Sequence, residues 1–339
     1  MVHLIQIVHP VQGRRVATVS GDVATLLVRH RTAYALAHAA ITAGAALEAV
    51  AAADATGESL PYDAIYAGRS AWTLLPPFDH PDEPARCLVT GTGLTHKASA
   101  ERRQAMHAAA PDAAETAEIV TDSMRMYRWG LEGGKPRPRA VGVQPEWFYK
   151  GDGQVLRGHG QELEAPGFGD DGGEEAEIAG AYVIAPDATP RRVGFMIANE
   201  FSDHAMERKN YLYLAPSKLR TCGVGPELVV GMEFTDIAGT VRIDRGTNTV
   251  WSMPVATGEA NMSHSLANLE HHHFKYPQHR RPGDVHIHFF GADAFSFGSG
   301  VVLEDGDTMT VTWEGMGRPL RNTLRVHRTG DAFVSVAPL

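Results

Sequence analysis

The sequence predicts an α+β fold in which a smaller N-terminal α/β region precedes a β-rich roll. Ala-rich runs with helical character are concentrated before Gly133, whereas short β-like runs separated by Gly, Asp and Pro dominate after it. The 35 glycines and 20 prolines fit a turn-rich chain better than a helix bundle. A length of 339 residues is enough for two domains, because single hydrophobic cores stop growing near about 250–300 residues.

The N-terminal region opens with two apolar runs, Val2–Val8 and Val16–Val19, that predict strands. The Ala-rich segment Thr32–Ala53 predicts a helix, because its residues have high helix propensity. Further predicted elements are a strand at Arg86–Thr90 and helices at Glu101–Ala110 and Asp112–Met126.

The Gly- and Pro-rich cluster Gly133–Pro138 is the predicted boundary between the two regions. We therefore predict a smaller N-terminal α/β domain at residues 1–140, with a candidate lid, and a larger domain at residues 141–339. The larger domain is expected to be β-rich apart from one helix at Ser265–His272.

Composition and charge argue against several classes of partner and location. The formal net charge is −9 and no Lys/Arg-rich run occurs, which argues against a nucleic-acid partner. No apolar run reaches the roughly 18 residues of a membrane span, and no secretory pattern opens the sequence. Cys87 and Cys222 lack C-x-x-C spacing, which fits reduced thiols in the cytoplasm.

Two carboxylates, Glu175 and Glu177, are spaced i and i+2 on a predicted strand, and Glu200 offers a third. Residues i and i+2 return to the same face of a strand about 6–7 Å apart, so both can reach one ion. Carboxylates without Cys or His favour Mg²⁺ or Mn²⁺, which keeps positions open for water or substrate. An isolated Glu-x-Glu pair is more often part of an acidic surface loop, so the neighbouring segments decide between the two interpretations.

A series of short segments surrounds this pair in a characteristic order. They are Phe148-x-Lys150, Glu175-x-Glu177, Asn199-Glu200-x-Ser202, Lys218, Gly225-Pro226, Pro282–Asp284, Phe290–Ala292, Gly306–Asp307 and Glu314–Asn322. This order resembles the fumarylacetoacetate hydrolase superfamily over residues 145–325. The resemblance implies the β-rich catalytic roll of that superfamily, a metal triad of Glu175, Glu177 and Glu200, and a homodimer.

Two positions depart from the superfamily pattern. The third ligand, usually Asp, is Glu200 here and is one methylene longer. The hydrolases also carry a His-x-x-Glu pair on a lid helix, in which the His activates water. The nearest match, His96 and Glu101, is five residues apart, and a helical residue at i+5 is turned away from residue i. This departure argues against attack by an activated water.

The resemblance implies a 2-oxo acid substrate whose carbonyl is polarised by the cation, so that the C3 protons become acidic. Lys218 and Lys150 are candidates for proton transfer or for binding the substrate carboxylate. A Lys beside a cation in a partly desolvated site can have a lowered pKa. His96 is a further catalytic candidate. Residues expected at the substrate are Phe148, Ser202, Ser217 and Ala292.

Within the superfamily, three segments are most similar to the branch associated with pentose and sugar-acid catabolism: Asn199–His204, Asn261–His273 and His288–Gly291. That similarity implies a metal-dependent dehydratase of a 2-keto-3-deoxypentonate, giving 2-oxoglutarate semialdehyde. One alternative is a 2,4-diketo acid hydrolase of the acylpyruvate type. A second is a binding protein that kept the fold and lost the ion.

Other conspicuous motifs have simpler interpretations. Gly91-Thr92-Gly93 lacks a full dinucleotide fingerprint and is read as a turn. The run His271–His273 cannot converge on one ion, because adjacent helical residues point about 100° apart. His286 and His288 share one face of a strand and are expected to be packed or to face the substrate. Ser202 lacks a G-x-S-x-G elbow, which favours a supporting hydrogen bond over a nucleophile.

Overall fold

The computed structural model describes residues 1–108 and 120–339. Its strands are β1 (Val2–His9), β2 (Gly13–Ser20), β3 (Val23–Leu26), β4 (Ser59–Pro61), β5 (Thr73–Leu74), β6 (Cys87–Gly91), β7 (Phe148–Asp152), β8 (Leu156–Arg157), β9 (Glu162–Ala165), β10 (Ala176–Ile184), β11 (Pro190–Asn199), β12 (Cys222–Val230), β13 (Ile237–Arg245), β14 (Asn248–Thr257), β15 (Val285–Phe289), β16 (Thr308–Trp313) and β17 (Leu320–Val326). Its α-helices are α1 (Ala33–Ala43), α2 (Leu47–Asp54), α3 (Tyr62–Tyr66), α4 (Lys97–Ala108), α5 (Asp122–Gly133), α6 (His204–Lys209), α7 (Leu214–Ser217) and α8 (Leu266–Phe274). The α+β class predicted from the sequence is confirmed.

Among these residues the strands form two sheets. The larger has the order β4-β3-β2-β1-β12-β11-β10-β15-β6-β7, with β5 paired to β1 and β8 paired to β12. The smaller has the order β14-β13-β16-β17-β9. Most neighbours are antiparallel, and β6–β15, β8–β12 and β9–β17 are parallel. Parallel β6 and β15 end side by side, so the loops that follow them meet at one edge of the sheet.

The larger sheet contains strands from both sides of the predicted domain boundary. Strand β1 pairs with β12, with Val2 opposite Val230, and β6 pairs with β15, with Cys87 opposite Val285. The division at residues 140 and 141 stays a prediction.

Strand β10 is buried along its whole length, because apolar residues cover both of its faces. Ala179, Ala181 and Val183 belong to a core cluster that also holds Leu36 of α1. Ile178 and Tyr182 belong to a second cluster that holds Val311 and Trp313 of the smaller sheet. Packing therefore fixes β10 from both faces, and this holds the residues at the start of the strand in place.

Two predicted helices differ from the structure. The segment Thr32–Ala53 forms α1 and α2 rather than one helix, because Gly44 takes a left-handed conformation with φ 60° that ends α1. Helix α5 begins after the Thr121 cap, and residues 109–119, which belong to the predicted helices Glu101–Ala110 and Asp112–Met126, lie outside the described residues.

Among the described residues no single helix is long and apolar enough to cross a membrane. Helices α1 and α2 pass that test only as a pair bent by 116°.

Helix α8 agrees closely with its prediction. Its cap is Ser265, whose side chain accepts a hydrogen bond from the backbone N–H of Asn268 at 3.2 Å.

Candidate metal centre and active site

The antiparallel pairing of β10 and β11 brings the three predicted ligands together. Ala176 lies opposite Asn199, and the backbone N–H of Glu200 donates to the carbonyl of Glu175 at 2.9 Å. Glu177 lies within β10, and Glu175 directly precedes that strand. One carboxylate oxygen from each of Glu175, Glu177 and Glu200 lies within 4.8 Å of the others. These three carboxylates form the carboxylate triad.

All three triad side chains are buried, and Lys218 lies between two of them. The Lys218 Nζ donates to Glu175 Oε1 at 2.6 Å, to Glu200 Oε2 at 2.5 Å and to Ser202 Oγ at 2.9 Å. Burial alone lowers the pKa of Lys218, but the carboxylates of Glu175 and Glu200 outweigh burial and raise it. The lowered pKa expected from the sequence is therefore wrong, and Lys218 is an ammonium donor at neutral pH.

Lys150 occupies a different position from Lys218. Its Nζ is fully buried and donates to Glu200 Oε1 at 2.5 Å and to the carbonyls of Glu200, Phe201 and Lys218 at 2.7, 2.7 and 3.0 Å. An ammonium has three N–H donors, so these four acceptors use all of them. The arrangement holds Glu200 in place, and it leaves Lys150 no donor for a substrate.

Glu175 has two further partners that the sequence did not indicate. Arg103 of α4 donates from Nη2 to both Glu175 oxygens at 3.1 Å and from Nε to Glu207 Oε1 at 3.0 Å. His204 Nε2 lies 3.1 Å from Glu175 Oε1. Burial raises the pKa of Glu175, but Lys218, Arg103 and His204 together hold it well below its usual range. Glu175 is therefore a carboxylate.

No local pattern marks Arg103, because its two acidic partners lie 72 and 104 residues away in the chain. The same helix carries Glu101, whose spacing from His96 argued in the sequence against a water-activating pair. In agreement with that argument, Glu101 Oε1 lies 3.7 Å from Lys97 Nζ and its side chain is exposed. Helix α4 thus brings a guanidinium, not a carboxylate, to the triad.

Glu177 contrasts with the other two members of the triad. Its Oε2 accepts the backbone N–H of Gly291 at 2.7 Å, and no cationic side chain of the described residues contacts it. Burial, Glu200 and Glu175 raise the pKa of Glu177 well above its usual range. A divalent cation among the three carboxylates would relieve this repulsion, and an all-oxygen donor set suits Mg²⁺ or Mn²⁺. The residues therefore fit the predicted ion.

A fourth carboxyl, Glu146, interacts electrostatically with Arg103 and Lys218 of this site and was missed in the sequence. The phenol of Tyr211 donates to Glu146 Oε1, and Gly93 faces Glu146 Oε2. Burial raises the pKa of Glu146, and Arg103 and the Tyr211 hydrogen bond only partly offset it. The residue as a whole is half-buried, whereas the three triad residues are buried. Its position two residues before the Phe148-x-Lys150 segment was the available signal.

The four residues expected at the substrate occupy distinct places. The Phe148 ring centroid lies 4.8 Å from Lys218 Nζ, and Ser202 Oγ donates to Glu200 Oε2 at 2.8 Å. Ser217 Oγ donates to the carbonyl of Leu214 at 2.7 Å rather than toward the triad. Ala292 is buried next to Gly291, whose N–H binds Glu177. Phe148 and Ser202 thus join the site directly.

His96 is buried between two threonines. Its Nδ1 lies 2.8 Å from Thr95 Oγ1, and its Nε2 lies 3.1 Å from Thr257 Oγ1. Burial lowers the pKa of His96 to about 3, so the ring is neutral. No carboxylate of the described residues contacts His96, and a water-activating pair of His96 and Glu101 is therefore not assembled.

Four other histidines pack together as the histidine cluster, which is made of His273, His279, His286 and His288. Trp147 Nε1 donates to His273 Nδ1 at 3.2 Å, so His273 Nε2 carries a proton and donates to His286 Nδ1 at 2.9 Å. His288 lies between Thr90 Oγ1 at 2.7 Å and Thr92 Oγ1 at 2.9 Å. Among the described residues, the only group with converging ligand atoms is the carboxylate triad.

Solved structures with similar folds are consistent with this geometry. A structure of 2-keto-3-deoxyarabinonate dehydratase superposes with a TM-score of 0.68 at 17% identity, covering 96% of this chain and 100% of that one. The chain has the fold of this enzyme. The same identity and coverage, with a TM-score of 0.68, hold for 2-keto-3-deoxy-D-arabinonate dehydratase complexed with magnesium and 2,5-dioxopentanoate.

An isomerase has the same fold. The 5-carboxymethyl-2-hydroxymuconate delta-isomerase from Mycobacterium smegmatis superposes with a TM-score of 0.55 at 17% identity, covering 96% of this chain and 100% of that one. No protein-family model and no curated protein sequence matches the chain. The resemblance expected from the sequence is thus confirmed for the fold.

Proposed function

We propose that the chain is a metal-dependent dehydratase of a 2-keto-3-deoxy sugar acid, with a 2-keto-3-deoxypentonate as the expected substrate and 2-oxoglutarate semialdehyde as the product. The observation that carries the proposal is the placement of an ammonium, Lys218, and a carboxyl of raised pKa, Glu146, at one buried carboxylate triad. The magnesium complex of the dehydratase of similar fold supports the choice of ion.

The metal ligands would be Glu175, Glu177 and Glu200. When bound, the cation would act as a Lewis acid on the 2-keto oxygen of the substrate and make its C3 protons acidic. The three N–H donors of Lys218 contact Glu175, Glu200 and Ser202, and the ammonium can donate to a substrate oxygen at the same place by exchanging its Ser202 contact. Lys218 therefore binds and polarises the substrate rather than acting as a base.

Glu146 is the proposed base. Its raised pKa makes its carboxylate a stronger base than an ordinary glutamate, and its partial exposure leaves it accessible to substrate. Glu146 takes a proton from C3 and returns one to the C4 hydroxyl, and the C4–O bond breaks with release of water. The unsaturated product then becomes the semialdehyde by proton shifts. Elimination needs no positioned attacking water.

The alternative of a 2,4-diketo acid hydrolase is disfavoured by His96. Hydrolysis of the C3–C4 bond requires a water activated by a base, and His96 is engaged by Thr95 and Thr257 instead. The alternative of a binding protein without metal is disfavoured by Glu177. Its unrelieved repulsion with Glu175 and Glu200 is what a cation would offset. A homodimer remains part of the proposal and is testable by sedimentation.

The deciding experiment incubates purified protein and Mg²⁺ with a panel of 2-keto-3-deoxy acids, acylpyruvates and unsaturated hydroxy-acid isomerase substrates. We expect semialdehyde from a 2-keto-3-deoxypentonate at a higher kcat/KM than pyruvate from any acylpyruvate. Faster cleavage of an acylpyruvate would replace this assignment by the hydrolase. Isomerisation without loss of water or carbon–carbon cleavage would place the chain with the isomerases.

A further inference from the structure

We infer that Tyr211 and Gly93 are positioning residues for Glu146 and together form a seat that holds its carboxyl in one orientation. Tyr211 donates its phenol proton to Glu146 Oε1, and Gly93 leaves the space that Glu146 Oε2 occupies. The inference rests on the proposed function only in giving Glu146 the role of base.

The Gly93 side of the seat is defined by a close approach. A Cβ added at Gly93 would lie 1.8 Å from Glu146 Oε2 and 3.0 Å from its Cδ, and the three nearest atoms all belong to Glu146. The backbone of Gly93 is outside the left-handed region, so alanine is compatible with its conformation. An alanine at position 93 would therefore displace the Glu146 carboxyl and little else.

The Tyr211 side of the seat is held by a short turn. Tyr211 begins the 3-10 turn Tyr211–Tyr213, and the Asn210 side chain caps this turn by accepting the Leu212 N–H at 2.9 Å. The turn lies between the triad ligand Glu200 and Lys218 in the chain. One segment thus carries a ligand, the hydrogen-bond donor to Glu146 and the ammonium.

Charged groups from several elements surround the seat. Among the described residues, those that act on the Glu146 carboxyl are Arg103 of α4, Glu207 of α6, Tyr211 and Lys218. The Tyr211 hydrogen bond favours the carboxylate form over the carboxylic acid. Loss of the phenol should therefore move the titration of Glu146 to higher pH.

The test compares Tyr211→Phe with Tyr213→Phe, a matched control in the same turn whose ring is 49% exposed. The titration of Glu146 is followed by infrared difference spectroscopy of the carboxyl band, assigned with Glu146→Gln. We expect the midpoint to move to higher pH in Tyr211→Phe and to stay unchanged in Tyr213→Phe. An unchanged midpoint in Tyr211→Phe would overturn the inference. This readout needs no substrate, so it decides the seat even if the proposed reaction fails.

Activity provides a second readout with Gly93→Ala. We expect kcat to fall by about 10²-fold, because a displacement of about 1 Å in a catalytic group costs that much. The thermal midpoint should not change, since the displaced atoms end a flexible side chain. Gly93→Ala added to Glu146→Gln should cause no further loss, because an amide has already replaced the carboxylate that acts as the base. A full additional loss in the double variant would contradict the inference.

Discussion

The carboxylate triad is fully buried, and so are His273, His286 and His288 of the histidine cluster, yet the triad holds charged groups whereas these three rings are neutral. In the triad region, ammonium and guanidinium groups contact Glu175 and Glu200, which keeps charges in the interior. In the histidine cluster burial lowers the pKa of His286 and His288 to about 3, so these rings are neutral. Burial alone therefore does not indicate a functional site, whereas compensated buried charge does.

The largest expected effect is a loss of kcat on removing Lys218, which tests whether this buried ammonium takes part in the reaction or only stabilises the fold. Lys218→Met removes the ammonium at nearly constant length, and kcat should fall by roughly 10²–10⁴-fold if Lys218 polarises the substrate in the transition state. The measurement is steady-state kinetics of dehydration of the 2-keto-3-deoxypentonate at saturating Mg²⁺. Lys209→Met is the control, because Lys209 is an exposed lysine on the nearby helix α6.

A change confined to KM in Lys218→Met would assign Lys218 to ground-state binding of the substrate carboxylate. Unchanged kcat and KM would remove Lys218 from the reaction altogether.

Lys150→Met should act on stability. The variant leaves Glu200 Oε1 and three buried carbonyls without their donor, and breaking a buried ion pair costs about 3–5 kcal/mol. The free energy of unfolding, measured by chemical denaturation without metal, should decrease by that amount. The exposed Lys209→Met should stay within about 0.5 kcal/mol of wild type. An unchanged free energy of unfolding in Lys150→Met would show that this ammonium does not hold Glu200 in place.

The smallest expected effect concerns the histidine cluster. The folded-state pKa of His288 is about 3, below the unfolded value, so the unfolded state binds the proton first as the pH falls. The stability that His288 contributes is present above about pH 6.5 and declines toward pH 3, by about 1.4 kcal/mol per pH unit. His288→Gln should reduce the slope of unfolding free energy against pH between pH 4 and 6 by that amount.

The matched control for this slope is His271→Gln, because His271 is an exposed histidine in the last turn of α8. Its slope should equal that of wild type. An equal decrease in both variants would mean that burial of His288 is not the cause.

Sequence patterns predicted the parts of the site that depend on local geometry. Glu175 and Glu177 could be paired because residues i and i+2 share a strand face, and Glu200 follows the strand that pairs with them. The roles of Lys150 and Arg103 could not be predicted. The acceptors of Lys150 include three backbone carbonyls that converge only in the folded chain, and those of Arg103 are 72 and 104 residues away.

Some features of the fold also could not be predicted from the sequence. The Ala-rich segment predicted helix correctly, but Gly44 divides it into α1 and α2 through its left-handed conformation. The pairing of β1 with β12 joins residues more than two hundred positions apart, and no periodicity in either strand encodes the partner.

The central claim is that Glu175, Glu177 and Glu200 bind one divalent cation, and Mn²⁺ binding followed by electron paramagnetic resonance tests it most directly. We expect one Mn²⁺ per chain in the wild type, displaced by Mg²⁺. Glu177→Gln should lose that ion and the activity while keeping the wild-type thermal midpoint without metal, because Glu177 contacts no cation in the described residues. No bound Mn²⁺ in the wild type, or retained Mn²⁺ and activity in Glu177→Gln, would contradict the account.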